Sequence, residues 1–351
     1  MKLLLLPLFL CLSAISFGQV DDSLELNQDL EEVVISISQG QSEFYAKKDH
    51  YILDIIEDSS GIILLLKNRG KYFIEKVLWD GQVIISEQLM FKASKLEKDC
   101  LNNLYLIMEN GYQRFSIQIG ALSFDQYFNT SSYQSEIESC VASSDIKLLF
   151  KRFMNYNQSV LLWKFDYADE SSEVVYLYED SVVTKANNDE AQSIKEENYT
   201  NHARMKEISI AELKTLQDQL ERATFFESTI TQAIYTPVFS FKNDHYFFNF
   251  KNDSIYAFDD NFELNYQICS PIKSQDKNGL RIIHDSTRGT FYFYSKKSSL
   301  TLFSLKQTKL GRSIESVGIH SSDKFIRNGW LYFLGKSSVG DSYNKLFREK
   351  L

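Results

Sequence analysis

"DCLNNLYLIMENGYQRFSI", residues 99–117, places two apolar runs on either side of a polar turn. The same phrase returns as "DSSGIILLLKNRGKYFIEKV" at 58–77, "NDHYFFNFKNDSIYAFD" at 243–259 and "DSTRGTFYFYSKKSSLTLFSL" at 285–305. In each, a polar turn precedes an apolar or aromatic run of about five residues, then a break and a second run, which is the pattern of strand–turn–strand. The first runs start at Ile62, Leu104, Ile146, His245, Thr290 and Trp330, with gaps of 42, 42, 99, 45 and 40 residues. A period in the low forties with several short strands per unit is the signature of β-propeller blades.

Four strands fit the first unit: "YILDII" (51–56), "GIILLL" (61–66), "YFIEKVLW" (72–79) and "QVIISEQ" (82–88). The first runs are apolar at nearly every position, as strands covered on both faces are. Later runs such as "QRFSIQI" alternate, as half-exposed outer strands do. The expected fold class is therefore all-β, a β-propeller, with six blades favoured over seven and a sandwich of sheets as the alternative architecture.

The gap of 99 contains a polar stretch, "SVVTKANNDEAQSIKEENYTNH" (181–202), then "SIAELKTLQDQLERA" (209–223). Ser209 and Glu212 stand at capping-box spacing, and Leu213, Leu216 and Leu220 share one helical face. A loop-plus-helix insertion at about 181–225 is expected, because this stretch has no room for the four strands of a seventh blade. The last unit has room for three strands only. The isolated "DLEEVVISIS" at 29–38 is therefore expected to be the outer strand of the last blade, which removes an open sheet edge.

The chain begins "MKLLLLPLFLCLSAISFGQ", with an early lysine, an apolar stretch and small residues Ser16 and Gly18. That is the build of a cleaved secretory signal over 1–18, with 19–351 as one propeller domain. Cys11 follows Phe9 and Leu10, where a lipid-attachment signal wants a small residue, and no later run has the length to span a bilayer as a helix. The expected location is export to the periplasm or outer membrane, with secretion as the alternative. Cys100, Cys140 and Cys269 form neither a disulfide framework nor a zinc pattern; one bridge with a free thiol and three buried thiols are both open. The net charge of -9 provides no footprint for nucleic acid.

The phrase Asp-x-x-(Gly/Asn)-aromatic run, carried by Asp58/Gly61, Asp99/Asn103/Tyr105, Asp285/Gly289/Phe291 and Ile255/Phe258/Asp259, resembles secreted bacterial six-bladed propellers of the NHL-repeat-like group. The resemblance is at the level of fold, and fold does not carry function across. Asp22-Ser23-Leu24, Asp180-Ser181-Val182 and Asp253-Ser254-Ile255 resemble O-glycosylation triplets of exported bacterial proteins.

None of His50, His202, His245, His284 and His320 stands at metal-ligand spacing, and no nucleophile elbow, phosphate loop or dinucleotide fingerprint is present. The aromatic runs "YFFNF" (246–250) and "FYFY" (291–294) read as blade core, with a sugar- or peptide-binding platform as the alternative. No catalytic, metal-binding or cofactor-binding residue is assigned, and no cofactor is implied. The expected role is a non-catalytic binding or scaffold module for an envelope protein. Leu213, Leu216 and Leu220 are the partner-binding residues, unless that face docks on the propeller itself. The alternatives are a hydrolase or lactonase with a metal in the central channel, and a sensor of a peptide or glycan ligand.

Overall fold

The computed structural model describes residues 41–351 apart from 119, 134–136, 155–158, most of 180–232, 273–279, 295–298, 306–308 and 337–343. Every described residue belongs to one compact unit, Val33–Leu351.

The chain enters through β1 (Gln41–Tyr45) and then runs through successive antiparallel meanders of four strands. The first blade is β2 (Tyr51–Glu57), β3 (Gly61–Asn68), β4 (Lys71–Leu78) and β5 (Val83–Leu89). The second is β6 (Lys95–Lys98), β7 (Leu104–Met108), β8 (Gly111–Gln118) and β9 (Ala121–Asn129). The third is β10 (Cys140–Ser143), β11 (Lys147–Met154), β12 (Ser159–Asp166) and β13 (Ser171–Glu179). The fourth is β14 (Val238–Phe241), β15 (Asp244–Asn249), β16 (Ser254–Phe258) and β17 (Leu264–Cys269). The fifth is β18 (Arg281–Asp285), β19 (Thr290–Tyr294), β20 (Ser299–Ser304) and β21 (Lys309–Glu315). The last is β22 (Lys324–Arg327), β23 (Trp330–Gly335) and β24 (Lys345–Lys350), completed by β1, which pairs antiparallel with β24 from Gln41↔Glu349 to Tyr45↔Leu346.

This is a β-propeller, and it explains the returning phrase. The six expected run starts each fall within one residue of the start of a second strand: β3, β7, β11, β15, β19 and β23. Those strands lie between an inner strand and a third strand of the same sheet, with a neighbouring blade over each face. Ile62 to Leu66 of β3 are wholly buried, as are nearly all residues of β15 and β23. The "YFFNF" and "FYFY" runs are core: Phe247, Phe248 and Phe291 have no exposed surface. By contrast β9, β13 and β17, outermost in their blades, are largely exposed. The recurring Asp of the phrase closes a turn. Asp58 and Asp99 follow the inner strand and Asp285 ends it, and their carboxylates accept backbone N–H groups of the turn (Ser60 at 3.3 Å, Leu101 at 2.9 Å, Thr287 at 3.1 Å). In the last blade Asn328 (φ 51°) and Gly329 (φ 69°) close the equivalent hairpin with both central residues left-handed, the geometry that matches strand twist.

Successive blades are joined by apolar side chains, and the joints close on themselves. One cluster joins blades one and two (Leu65, Leu89, Leu96, Leu106), another three and four (Leu149, Leu162, Phe247, Phe258), another four and five (Phe248, Ile255, Phe291, Phe303). Leu300, Ile326 and Phe333 join five to six; Ile52, Leu64, Tyr332 and Leu346 join six back to one. At the joint between blades two and three the Cys100–Cys140 disulfide bridges the β6–β7 turn to the start of β10, and the Ser143 hydroxyl donates to the Cys100 carbonyl at 2.8 Å. Of the two open readings of the cysteines, one bridge with a free thiol holds: Cys269 is unpaired and exposed. The two bridged cysteines are not at equivalent places in their repeats, contrary to the register that the 42-residue spacing implies.

The closing strand is a correction. Its place on β24 is held by Gln41–Tyr45, downstream of the expected 29–38, which lies outside the described residues. Tyr45 and Lys47 both reach Glu75 of β4, a carboxylate that is only 1% exposed, so the strand is latched to the first blade as well as to the last. The expected helix with Leu213, Leu216 and Leu220, and any seventh blade within the insertion, also lie outside the described residues. Of the three glycosylation-like triplets only Asp253-Ser254-Ile255 is described. Ser254 is buried, donating to the Asn252 carbonyl at 3.1 Å and accepting from Gln267 at 2.8 Å, so this hydroxyl is engaged within its blade.

Candidate functional site

The central channel is the first place to look for chemistry, and its carboxylates are already engaged. The inner strands β2, β6, β10, β14, β18 and β22 carry four carboxylates among the described residues: Asp54, Glu57, Glu97 and Asp285. Asp54 accepts the Ile55 and Leu96 amides at 2.8 and 2.6 Å, tying the inner strands of blades one and two. Glu57 takes the guanidinium of Arg327 and, at 3.2 Å, the hydroxyl of Ser286. Glu97 accepts Tyr133 at 2.9 Å. Asp285 receives donors from two blades, with Gly329 N–H at 2.7 Å. Among the described residues no three His, Cys, Asp or Glu side chains lie close enough to share a metal ion.

Burial holds the Asp54 carboxyl up to about 6, with Asp323 adding repulsion while the two amides pull the other way. The folded chain therefore keeps a proton that the unfolded chain releases near pH 4, and stability falls as pH rises from about 4 to 6. Replacing Asp54→Asn is expected to flatten that slope, which is worth on the order of 2–3 kcal/mol. Urea denaturation at pH 4 and pH 7 measures it. An unchanged slope would assign the pH dependence to another group.

Three of the described histidines pack against neighbouring groups. His284 stacks on Phe291 (4.6 Å between centroids) beside Phe239, and burial lowers its pKa to about 4, so the ring is neutral near pH 7. His245 is buried, shares a 2.8 Å hydrogen bond with Ser240, and is likewise pushed down by burial. His50 lies 2.9 Å from the Lys48 carbonyl at the edge of Phe73.

A pocket of about 550 Å³ opens instead among blades three, four and five. Antiparallel order brings the end of each second strand to the same face as the start of each inner strand. That face, here the upper one, carries Phe153 near the end of β11, residues 233–237 before β14, and Arg281 at the start of β18. The approach to β14 is pinned. Ile234 belongs to the joint between blades three and four, Thr236 is buried, and the Pro237 carbonyl accepts Phe248 N–H at 3.0 Å.

Two cations line the pocket. The Lys151 ammonium donates to the Thr236 carbonyl at 3.0 Å and stands 5.2 Å from the centre of the Phe153 ring; burial lowers its pKa to about 8. The Arg281 guanidinium lies 4.7 Å over Tyr235, a ring stacked on Phe250 and held by the Ile282 amide donating to its hydroxyl at 3.0 Å. Among the described residues neither cation pairs with a carboxylate. A second cavity, of about 240 Å³, differs in this respect, since its Lys164 is paired with Glu173 at 3.0 Å. Further along the upper face Lys324, over Tyr294 at 4.7 Å, is also pushed down to about 8 by burial, against the pull of Asp323. Arg281 is exposed, so among the described residues Lys151 is the pocket cation that burial takes partly out of water without a carboxylate partner.

The sequence did not point to this pocket, because Lys151 and Arg281 are far apart in the chain and form no motif. The available signal is "AIYTP" (233–237), which holds one of only three prolines directly before a blade.

No family model matches the chain, and no curated protein sequence matches it. Solved structures similar to it in part include a calcium-binding protein, regucalcin, from Agrobacterium tumefaciens, with 10% identity and TM-score 0.37 over 88% of this chain and 92% of that one. Virginiamycin B lyase from Staphylococcus aureus gives 10% identity and TM-score 0.34 over 89% and 87%. BamB from Moraxella catarrhalis gives 8% and 0.36 over 88% and 97%. At these values the propeller assignment rests on the chain's own strand order and cyclic blade joints. No helix among the described residues is long and apolar enough to cross a membrane.

Proposed function

We propose that this chain is an exported, non-catalytic binding or scaffold module of the bacterial envelope, akin to the secreted NHL-repeat-like propellers, that engages a protein partner through the upper face. The observation that carries this reading is the division of charge. Every carboxylate on a described inner strand already has a hydrogen-bond partner, and Asp54, Glu57 and Asp285 hold neighbouring blades together, while Lys151 and Arg281 line a pocket with no carboxylate partner among the described residues. A pocket of this size, with convergent polar groups beside two aromatic rings, suits recognition. The disulfide supports export, since such bridges persist in oxidising compartments.

The experiment is affinity capture from envelope extract of the native host, with the tagged full chain, an Arg281→Glu variant and a deletion of 184–222. A partner retained by the full chain and lost on charge reversal at Arg281 supports the reading. A partner that ignores the reversal but needs 184–222 moves binding to the insertion. Absence of any retained partner overturns the protein-scaffold role.

A further inference from the structure

Resting on that binding role, we propose that the pocket recognises a carboxylate borne on an apolar or aromatic group, with Arg281 and Lys151 taking the anion and the rings of Tyr235 and Phe153 flanking it. The geometry of Arg281 favours this ligand. Its Nη1 is already given to the Leu280 carbonyl at 2.9 Å, and its plane is held over Tyr235. The remaining edge of the guanidinium is a planar fork of two donors, which matches the two oxygens of a carboxylate. Lys151 gives one proton to Thr236 and keeps two others. Beside Thr236, the rest of the lining is Ala233, Ile234, Pro237 and the two rings, which give an apolar body a surface to rest on. About 550 Å³ admits a few residues of peptide or a small organic acid.

The two sources of such a group, a peptide C-terminus and a free organic acid, share this chemistry and are separated by the probes. The purified chain is titrated, with saturation-transfer NMR as readout, with an N-acetylated tripeptide ending in phenylalanine, with 3-phenylpropionate, and with the amide of each. Inorganic phosphate serves as competitor. The expected result is an acid at least about tenfold tighter than its amide, and a ratio near one in Arg281→Gln and in Lys151→Met. Tight binding by the peptide acid alone identifies a C-terminus as the source, and binding by both acids identifies the carboxylate itself. Acid and amide binding equally, or not at all, overturns the inference, as does phosphate competing as well as the acid. The acid-to-amide ratio of the unaltered chain needs no variant to fold. A captured envelope partner whose retention is indifferent to Arg281→Gln would leave the binding role standing and remove this inference alone.

Discussion

Asp285→Ala is expected to lower the stability of the chain by about 3–5 kcal/mol, the largest effect of any single side chain described above. Asp285 has no exposed surface. Its carboxylate accepts the Thr287 hydroxyl and the amides of Thr287 and Arg288 within its own blade, at 3.1 and 3.3 Å for the amides. From the next blade it accepts the amides of Asn328 and Gly329 at 3.2 and 2.7 Å. The inner strands of these two blades meet at Asp285↔Ile326, so the group sits where the sheets are continuous. Removing it orphans the buried Gly329 amide and takes an acceptor from the part-buried bonds of both turns at once, and a buried donor without an acceptor costs more than the bond was worth. Asp285→Asn keeps the shape but turns an amide –NH2 toward N–H groups, so it recovers less than half of the loss. Urea denaturation reads the effect as a lower midpoint with unchanged slope. A loss below about 1 kcal/mol would mean that the apolar contacts of Ile326, Phe333 and Phe347 hold the joint unaided.

Opening the Cys100–Cys140 bridge is expected to cost a similar amount, about 4 kcal/mol for a loop of 40 residues in the chain-entropy account. The placement explains why the bridge matters. Among the described residues five joints between blades carry an apolar cluster, and the joint between blades two and three is bridged by the disulfide. A ring is as strong as its weakest joint, because opening any one exposes two blade faces. Thermal unfolding of the Cys269→Ser chain, with and without reductant, measures the effect free of thiol exchange. A midpoint that drops on reduction fits a structural staple, and an unchanged midpoint would show that the turn around Cys100 needs no tether. The Cys100→Ser, Cys140→Ser pair of substitutions is expected to reproduce the reduced curve.

The fold class was legible in the residues because propeller strands repeat a local demand. Each second strand is covered on both faces and must be apolar throughout, as in "GIILLL" and "YFFNF", and each hairpin needs an Asp, Asn or Gly at its turn. Such demands recur with the period of the blade, so six run starts could be marked before any coordinate was known. The placement of the aromatic runs in the core followed from the same local reading.

Pairings between distant residues needed the tertiary structure. Nothing local distinguishes 29–38 from 41–45 as the closing strand. That choice is made by register against Glu349 and Leu346 and by Tyr45 and Lys47 reaching Glu75. The bond between Cys100 and Cys140 depends on the β6–β7 turn of one blade meeting the start of β10 in the next, which their spacing in sequence does not encode. Lys151 and Arg281 come to one pocket because antiparallel order sends the end of one strand and the start of another to the same face. Periodicity reports what each strand must bury, and only closure of the ring decides which side chains, far apart in the chain, come to share a boundary.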